Sequence, residues 1–117
     1  MAEQILKSLN DILKSVENIE LFCSSRPKEF KTFCEDTCFR SAVQWEIAII
    51  GEAMNRILKI SPNIQITSAR RIVNTRNYLI HGYDSLREDL IWAIVINHLP
   101  LLKSEVTKLI ESSQEVR

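Results

Sequence analysis

The residue types best suited to chemistry lie close together in residues 76–83, which read RNYLIHGY. Arg76 offers a planar, permanently charged fork that suits phosphate oxygens, and His81 can exchange protons near neutral pH. The two residues are about 140° apart round an ideal helix, and an arginine is long enough to meet the histidine at a shared ligand. Together they could bind a phosphodiester and move the protons that its cleavage requires.

Each of these residues also has a structural interpretation. Arg76 interrupts an otherwise apolar helical stripe, where a guanidinium is costly unless it is paired or turned towards an anionic ligand. A glutamate of another helix, Glu46 or Glu52, could provide that pairing. His81 could be a helix-end cap or a surface group. Asn77 could orient His81 or bind ribose, or it could be a surface amide.

Other polar and aromatic residues have simpler interpretations. Glu52 is one helical turn before Arg56, and we expect the two to form an ion pair on the helix surface. His98 precedes Leu-Pro in the sequence and is interpreted as structural. Trp45 and Trp92 are expected to be core aromatics.

The elements that must position these side chains are predicted to be helices. Apolar residues recur at spacings of three and four and no stretch alternates, which indicates an all-α chain. Asp36 or Thr37 can cap the second long helix, and Ser85 with Glu88 matches a capping box. Pro100 is expected to kink or restart the chain. Helices are expected over about 5–24, 37–60, 66–81, 86–97 and 101–111, with a short segment at 29–34 and a polar tail at 112–117.

The helix at 86–97 is apolar nearly all round and is therefore expected to be the buried centre. At 117 residues the chain has the length of one domain. We predict a single antiparallel helical bundle of about five helices.

Composition excludes several classes of function. The chain has only two glycines, too few for a phosphate-cradling P-loop or a dinucleotide-binding loop. Lysine and arginine number 15, as do aspartate and glutamate, so the total charge does not indicate a nucleic-acid or membrane partner. Residues 53–83 nevertheless contain five basic residues and no acidic one. That segment could form a positive face or only a solvated helix surface.

The three cysteines, at positions 23, 34 and 38, do not have the spacing of a disulfide framework or of a zinc clip. We expect free, mostly buried thiols and no metal. The longest apolar run, residues 90–96, is far shorter than the ~20 residues that span a bilayer, and the N-terminal residues lack the apolar core of a signal peptide. A reducing, cytoplasmic location is expected.

Four segments in register resemble the HEPN ribonuclease toxins of the HepT type, which are encoded beside a minimal nucleotidyltransferase antitoxin, MntA. The central one is the Arg-x4-His-x-Tyr motif of residues 76–83. The others are Ile-Gly-Glu-Ala at 50–53, Ile-Trp at 91–92 and Leu-Pro-x-Leu at 99–102. The resemblance covers most of the chain and implies a HEPN-like domain over residues 1–117 that forms a two-fold dimer.

The resemblance also implies a function. Relatives are metal-independent endoribonucleases of type VII toxin–antitoxin pairs, whose cleft forms where two protomers meet. Arg76 and His81 would then be catalytic, Asn77 would support them, and Arg70 and Arg71 would be candidates for RNA backbone contacts or else merely solvent-exposed. Transfer RNA or messenger RNA would be the substrate.

In the same family the partner enzyme attaches AMP to the motif tyrosine, here Tyr83, using ATP and magnesium, while the toxin itself needs no cofactor. The alternative is a non-catalytic helical module that binds a nucleotide or acts as an adaptor for the nucleotidyltransferase.

Overall fold

The computed structural model describes residues 1–81 and 87–115, and for Ile80, His81 and Glu115 it describes the backbone alone. Within these ranges the chain contains helices and no strand, so the predicted all-α class is confirmed. The helices are α1 (Glu3–Ser24), α2 (Phe30–Glu35), α3 (Thr37–Ile60), α4 (Ala69–His81), α5 (Glu88–Ala93), a π-helix (Ile94–His98) and α6 (Leu99–Glu115).

Local sequence sets the ends of the long helix α3. Asp36 caps its N-terminus, because one carboxylate oxygen accepts a hydrogen bond from the Phe39 N–H at 3.0 Å. The other oxygen accepts from Arg26 Nε at 3.1 Å. These two interactions, the backbone one first, lower the pKa of Asp36 below its usual range. The helix ends at Ile60, just before the Ser-Pro-Asn sequence that disfavours its continuation. Asp36, rather than Thr37, is therefore the cap.

The core lies where α1, α3, α4 and α6 bury their apolar stripes against one another. α3 packs along α1 on one side and along α4 on the other, and α6 packs against α1. The short helix α2 contributes Phe33, whose ring stacks on Trp92 with centroids 5.0 Å apart and meets Phe39 edge to face at 5.8 Å. Trp92 is thus a core residue, as predicted.

The segment after residue 86 differs from the prediction in two ways. α5 begins at Glu88 with Arg87 at the cap position and no side-chain capping bond. Glu88 is then the first residue of the helix rather than the third, so the predicted capping box is wrong; Ser85 lies outside the described residues. Leu90 and Ile96 are exposed, and α5 with the π-helix is therefore buried on one side only.

Pro100 neither breaks nor restarts the chain, because α5, the π-helix and α6 follow one another without a gap. The N–H of Leu99 bonds to the carbonyl of Ile94, five residues back. Proline has no N–H to donate, and its ring crowds the carbonyl four residues earlier, so the wider π turn accommodates it. α6 then continues to Glu115, into the segment 112–117 that was predicted to be a tail.

The cysteines are free, but the expectation that they are mostly buried is wrong. Cys23 and Cys34 are half-buried and Cys38 is exposed. Partial burial raises the pKa of Cys23 and of Cys34, so a smaller fraction of each is in the reactive thiolate form at neutral pH. None of the described helices is long and apolar enough to cross a membrane.

Candidate active site around Arg76

A glycine in the middle of α3 allows α4 to approach closely. A Cβ placed on Gly51 would lie 2.1 Å from the Cβ of Arg76 and 3.2 Å from the carbonyl oxygen of Ile72. The first distance is shorter than any real contact, so only glycine fits between the helices here. Gly51 therefore fixes the distance between α3 and α4 at the position of Arg76.

Arg76 is held by two polar partners at this crossing. Its Nη2 donates to Glu52 Oε2 at 2.5 Å, and its Nη1 donates to Asn77 Oδ1 at 2.8 Å. The Arg76 side chain is 22% exposed and that of Glu52 is 46% exposed. Arg76 Nε is buried and has no hydrogen-bond partner among the residues that the structure describes. The guanidinium is thus oriented at the rim of the α3–α4 interface and not sealed in the core.

The partner of Arg76 is Glu52, one of the two glutamates that the sequence allowed. Glu46 is instead buried under α1, where one oxygen accepts from Asn18 Nδ2 at 3.3 Å and the other has no partner in the described part of the chain. The predicted pair of Glu52 with Arg56 is wrong, because Arg56 turns to α1 and contacts Asp11 Oδ2 at 3.5 Å. The close packing at the glycine brings Arg76 nearer to Glu52 than Arg56 is.

His81 is the last residue of α4, and its side chain lies outside what the structure describes, as does the whole of Tyr83. The backbone is helical without interruption from Ala69 to His81. The spacing that places His81 about 140° round from Arg76 and about 7.5 Å further along the axis therefore applies. The meeting of the two side chains, and the contact between Asn77 and His81, stay predictions.

Arg70 and Arg71 are both exposed on α4, which leaves their predicted RNA contacts open. Sequence reasoning missed that His98 lies close to them. His98 Nδ1 is 3.2 Å from Ser68 Oγ, and burial, with a smaller contribution from the charge of Arg71, lowers the pKa of His98. His98 is consequently a neutral imidazole at pH 7.

Trp45 is 69% exposed, so its assignment to the core is wrong. On α3 it shares a face with Ile49 and Glu52, which follow at four and seven residues. An exposed tryptophan thus lies on the same face as the glutamate that holds Arg76. In the part of the chain that the structure covers, no three His, Cys, Asp or Glu side chains come together to hold a metal ion.

Comparison with known proteins decides the family. The profile of the family described as "Ribonuclease HepT-like" matches residues 12–109. The chain belongs to the HepT-like ribonucleases. It is therefore a ribonuclease by family, and the resemblance drawn from residues 76–83 and the three flanking segments is confirmed.

Relatives of this HepT-like ribonuclease carry matching names. "Probable ribonuclease HepT" of Thermococcus cleftensis is 32% identical over 86% of this chain and 91% of its own length. "Putative RNase MJ1380" of Methanocaldococcus jannaschii is 31% identical over 87% of this chain and 86% of its own length. "Putative RNase MJ0127" of the same organism is 29% identical over 88% and 84%. No solved structure matches.

Proposed function

We propose that this HepT-like ribonuclease is a metal-independent endoribonuclease toxin in which Arg76 and His81 act on one RNA phosphodiester. The observation that carries the proposal is the setting of Arg76. A permanently charged group is held in a fixed orientation by Glu52 and Asn77, at a helix crossing where only a glycine fits. Such preorganisation is what stabilisation of a charged transition state requires.

The chemistry follows from these residue types. The 2′-oxygen of the RNA attacks the adjacent phosphorus while a histidine removes its proton, and the bond to the 5′-oxygen breaks as a second group protonates that oxygen. The products are a 2′,3′-cyclic phosphate and a 5′-hydroxyl, so no water is consumed in this step. Arg76 would bind the phosphate oxygens as their charge increases. No step requires a metal ion or a cofactor.

The two proton transfers require two groups, and two protomers would supply one His81 each. We therefore propose that the cleft is shared by two protomers related by two-fold symmetry. The exposed Trp45 supports this arrangement, because it lies on the same face of α3 as Glu52, the partner of Arg76. A second copy seated over Trp45 would bury apolar surface and bring two Arg76 side chains towards one another.

Regulation is proposed from the family resemblance. A nucleotidyltransferase of the MntA type would use ATP and magnesium to add AMP to the Tyr83 hydroxyl, as in a type VII toxin–antitoxin pair. The unmodified ribonuclease would act on tRNA or mRNA in the cytoplasm. Tyr83 is two residues beyond His81. Each AMP would add bulk and a negative charge near a phosphate-binding cleft, and would exclude RNA by steric overlap and like-charge repulsion.

A second candidate is a non-catalytic adaptor for the nucleotidyltransferase. The ion pair between Arg76 and Glu52 is the observation that favours it, because a paired arginine can serve packing alone. The two functions differ in the effect of losing His81. In a ribonuclease toxin, His81→Ala would abolish RNA cleavage and toxicity, whereas in an adaptor it would have no effect on RNA.

The test is induction of the wild-type chain in cells, followed by measurement of growth and RNA integrity. We expect growth arrest and RNA fragmentation, both absent with Arg76→Ala and with His81→Ala and unchanged with the surface control Lys14→Ala.

Co-expression of the nucleotidyltransferase should restore growth and add AMP that mass spectrometry maps to Tyr83, while Tyr83→Phe should escape both. Fragmentation that persists in both alanine variants, or AMP that maps to Tyr78, would contradict the proposal.

A further inference from the structure

A groove is lined by α4 on one side and by α5 and the π-helix on the other. It encloses about 480 Å³, a volume typical of small-ligand sites. Arg71, Asn74 and Tyr78 of α4 line one wall, and Leu90 and His98 lie on the opposite wall. A second cavity of about 490 Å³ lies by the start of α4 and is also lined by Arg71 and His98. Arg71 and His98 thus line both cavities, at a place that we call the junction.

The polar groups at this junction are available to a ligand. Arg71 is exposed, and its guanidinium has no ion pair or hydrogen bond within the described ranges. His98 uses Nδ1 in its contact with Ser68 Oγ at 3.2 Å, which leaves Nε2 for another partner. His98 is the last residue of the π turn that precedes Pro100, and such turns are frequent at functional sites.

We propose that this groove binds a nucleotide of the RNA strand away from the bond that is cut. Arg71 and the imidazole of His98 would bind a phosphate, and Tyr78 with Leu90 would form an aromatic and apolar wall for the base. Charged contacts to the backbone combined with stacking on aromatic rings are how proteins bind single-stranded RNA. This inference rests on the proposed function, since it extends the path of the same substrate.

The position of the groove relative to His81 sets the length of RNA that it serves. Both belong to α4, and Arg71 precedes His81 by ten residues, which is about 15 Å along the axis. A stacked strand advances about 3.4 Å per nucleotide, so roughly four nucleotides separate the two. The groove would therefore increase affinity for RNAs of several nucleotides and leave a dinucleotide unaffected.

The test measures binding of a fluorescein-labelled RNA octamer by anisotropy, with all proteins in the His81→Ala background so that the RNA stays intact. Arg71→Gln should weaken binding about tenfold, the loss of one charge-assisted contact, and should reduce the slope of log affinity against log salt by about one. His98→Gln should weaken binding without changing that slope, because a neutral imidazole is removed. Lys14→Gln, which removes an exposed charge elsewhere, should change neither.

Three results would overturn the inference. The Arg71 and His98 variants could bind the octamer as tightly as the His81→Ala parent does, or they could lose as much affinity for a dinucleotide as for the octamer. The third is that the parent does not bind the octamer at all. Displacement of the octamer by ATP at lower concentration than unlabelled octamer would assign the groove to free nucleotides instead. Thermal unfolding of each variant shows that it is folded. If Arg71→Gln weakens octamer binding while the chain with His81 intact does not cut RNA, the proposed function is refuted and the groove is retained.

Discussion

Arg76 and His98 show how neighbouring groups decide what a polar side chain can do. The guanidinium of Arg76 is oriented by a carboxylate and an amide, and it remains partly exposed, so it is available to a phosphate. His98 is placed in an environment that disfavours its charged form. A group held neutral donates or accepts hydrogen bonds at pH 7 but adds no charge to the groove.

The lowered pKa of His98 predicts how stability depends on pH. In the unfolded chain an ordinary histidine binds a proton near pH 6.5, whereas in the folded chain it does so only at lower pH. Between those two values the unfolded state binds more protons, so the free energy of unfolding decreases as the pH falls below about 6.5.

The measurement is the melting temperature of the wild type and of His98→Gln between pH 7.5 and pH 5.5. We expect the wild type to lose more stability over that interval than the variant, which cannot titrate. Parallel curves for the two proteins would show that His98 does not have a lowered pKa in the folded chain.

Among the helices, the crossing of α3 with α4 depends most on one residue. Gly51 is in a helix interior, where replacement by alanine would ordinarily add about 0.5–1 kcal/mol of stability. Here the new Cβ would overlap the Cβ of Arg76, and α4 would have to move.

We therefore expect Gly51→Ala to lower the free energy of unfolding by about 1–3 kcal/mol, the usual cost of overpacking. It should also reduce RNA cleavage, because Arg76 moves away from Glu52. Urea unfolding and a cleavage assay at a temperature where the variant is folded measure the two effects. A stabilised, fully active Gly51→Ala would show that the close approach is unnecessary.

Most of the helices could be predicted from the sequence, because an apolar stripe and a cap are local signals. The stripe of α1, the Asp36 cap and the end of α3 before Pro62 are examples. The π-helix was not predicted, because the proline at position 100 indicated a kink or a new helix start and not the wider turn that accommodates it. The candidate residues of the site were found through their types and spacing, within residues 76–83.

The partners of those residues needed the tertiary structure. Glu52 was expected to pair with Arg56 and was only one of two candidates for Arg76, and the packing at Gly51 decides for Arg76. Trp45 lies two residues from the buried positions Val43 and Ile47, so hydrophobicity alone placed it inside although it faces solvent. Gly51 itself could have been noticed, since a glycine inside an apolar helix often marks a close approach.

The surface of the protomer bears on the proposed dimer. An exposed tryptophan is a common anchor of protein interfaces, and Trp45 shares a helix face with Glu52. A dimer that covers this face would complete the cleft, and the isolated protomer would keep Arg76 but lack the second histidine.

Replacing Trp45 by glutamate should therefore produce a monomer that retains its melting temperature, because the side chain contributes little to the core, and should abolish RNA cleavage. Light scattering at micromolar concentration measures the mass. The control is Leu21→Glu, which alters an equally exposed apolar residue on α1 and should leave both properties unchanged. A monomeric, fully active Trp45→Glu would contradict the shared cleft.

The proposed chemistry is tested most directly by the ends of the RNA that the purified, unmodified protein produces in the presence of EDTA. We expect cleavage with 2′,3′-cyclic phosphate and 5′-hydroxyl ends, and a loss of ~10² or more in rate for Arg76→Ala and for His81→Ala. Cleavage that needs added metal ion, or that persists in both variants, would contradict the assignment of the reaction to these two residues.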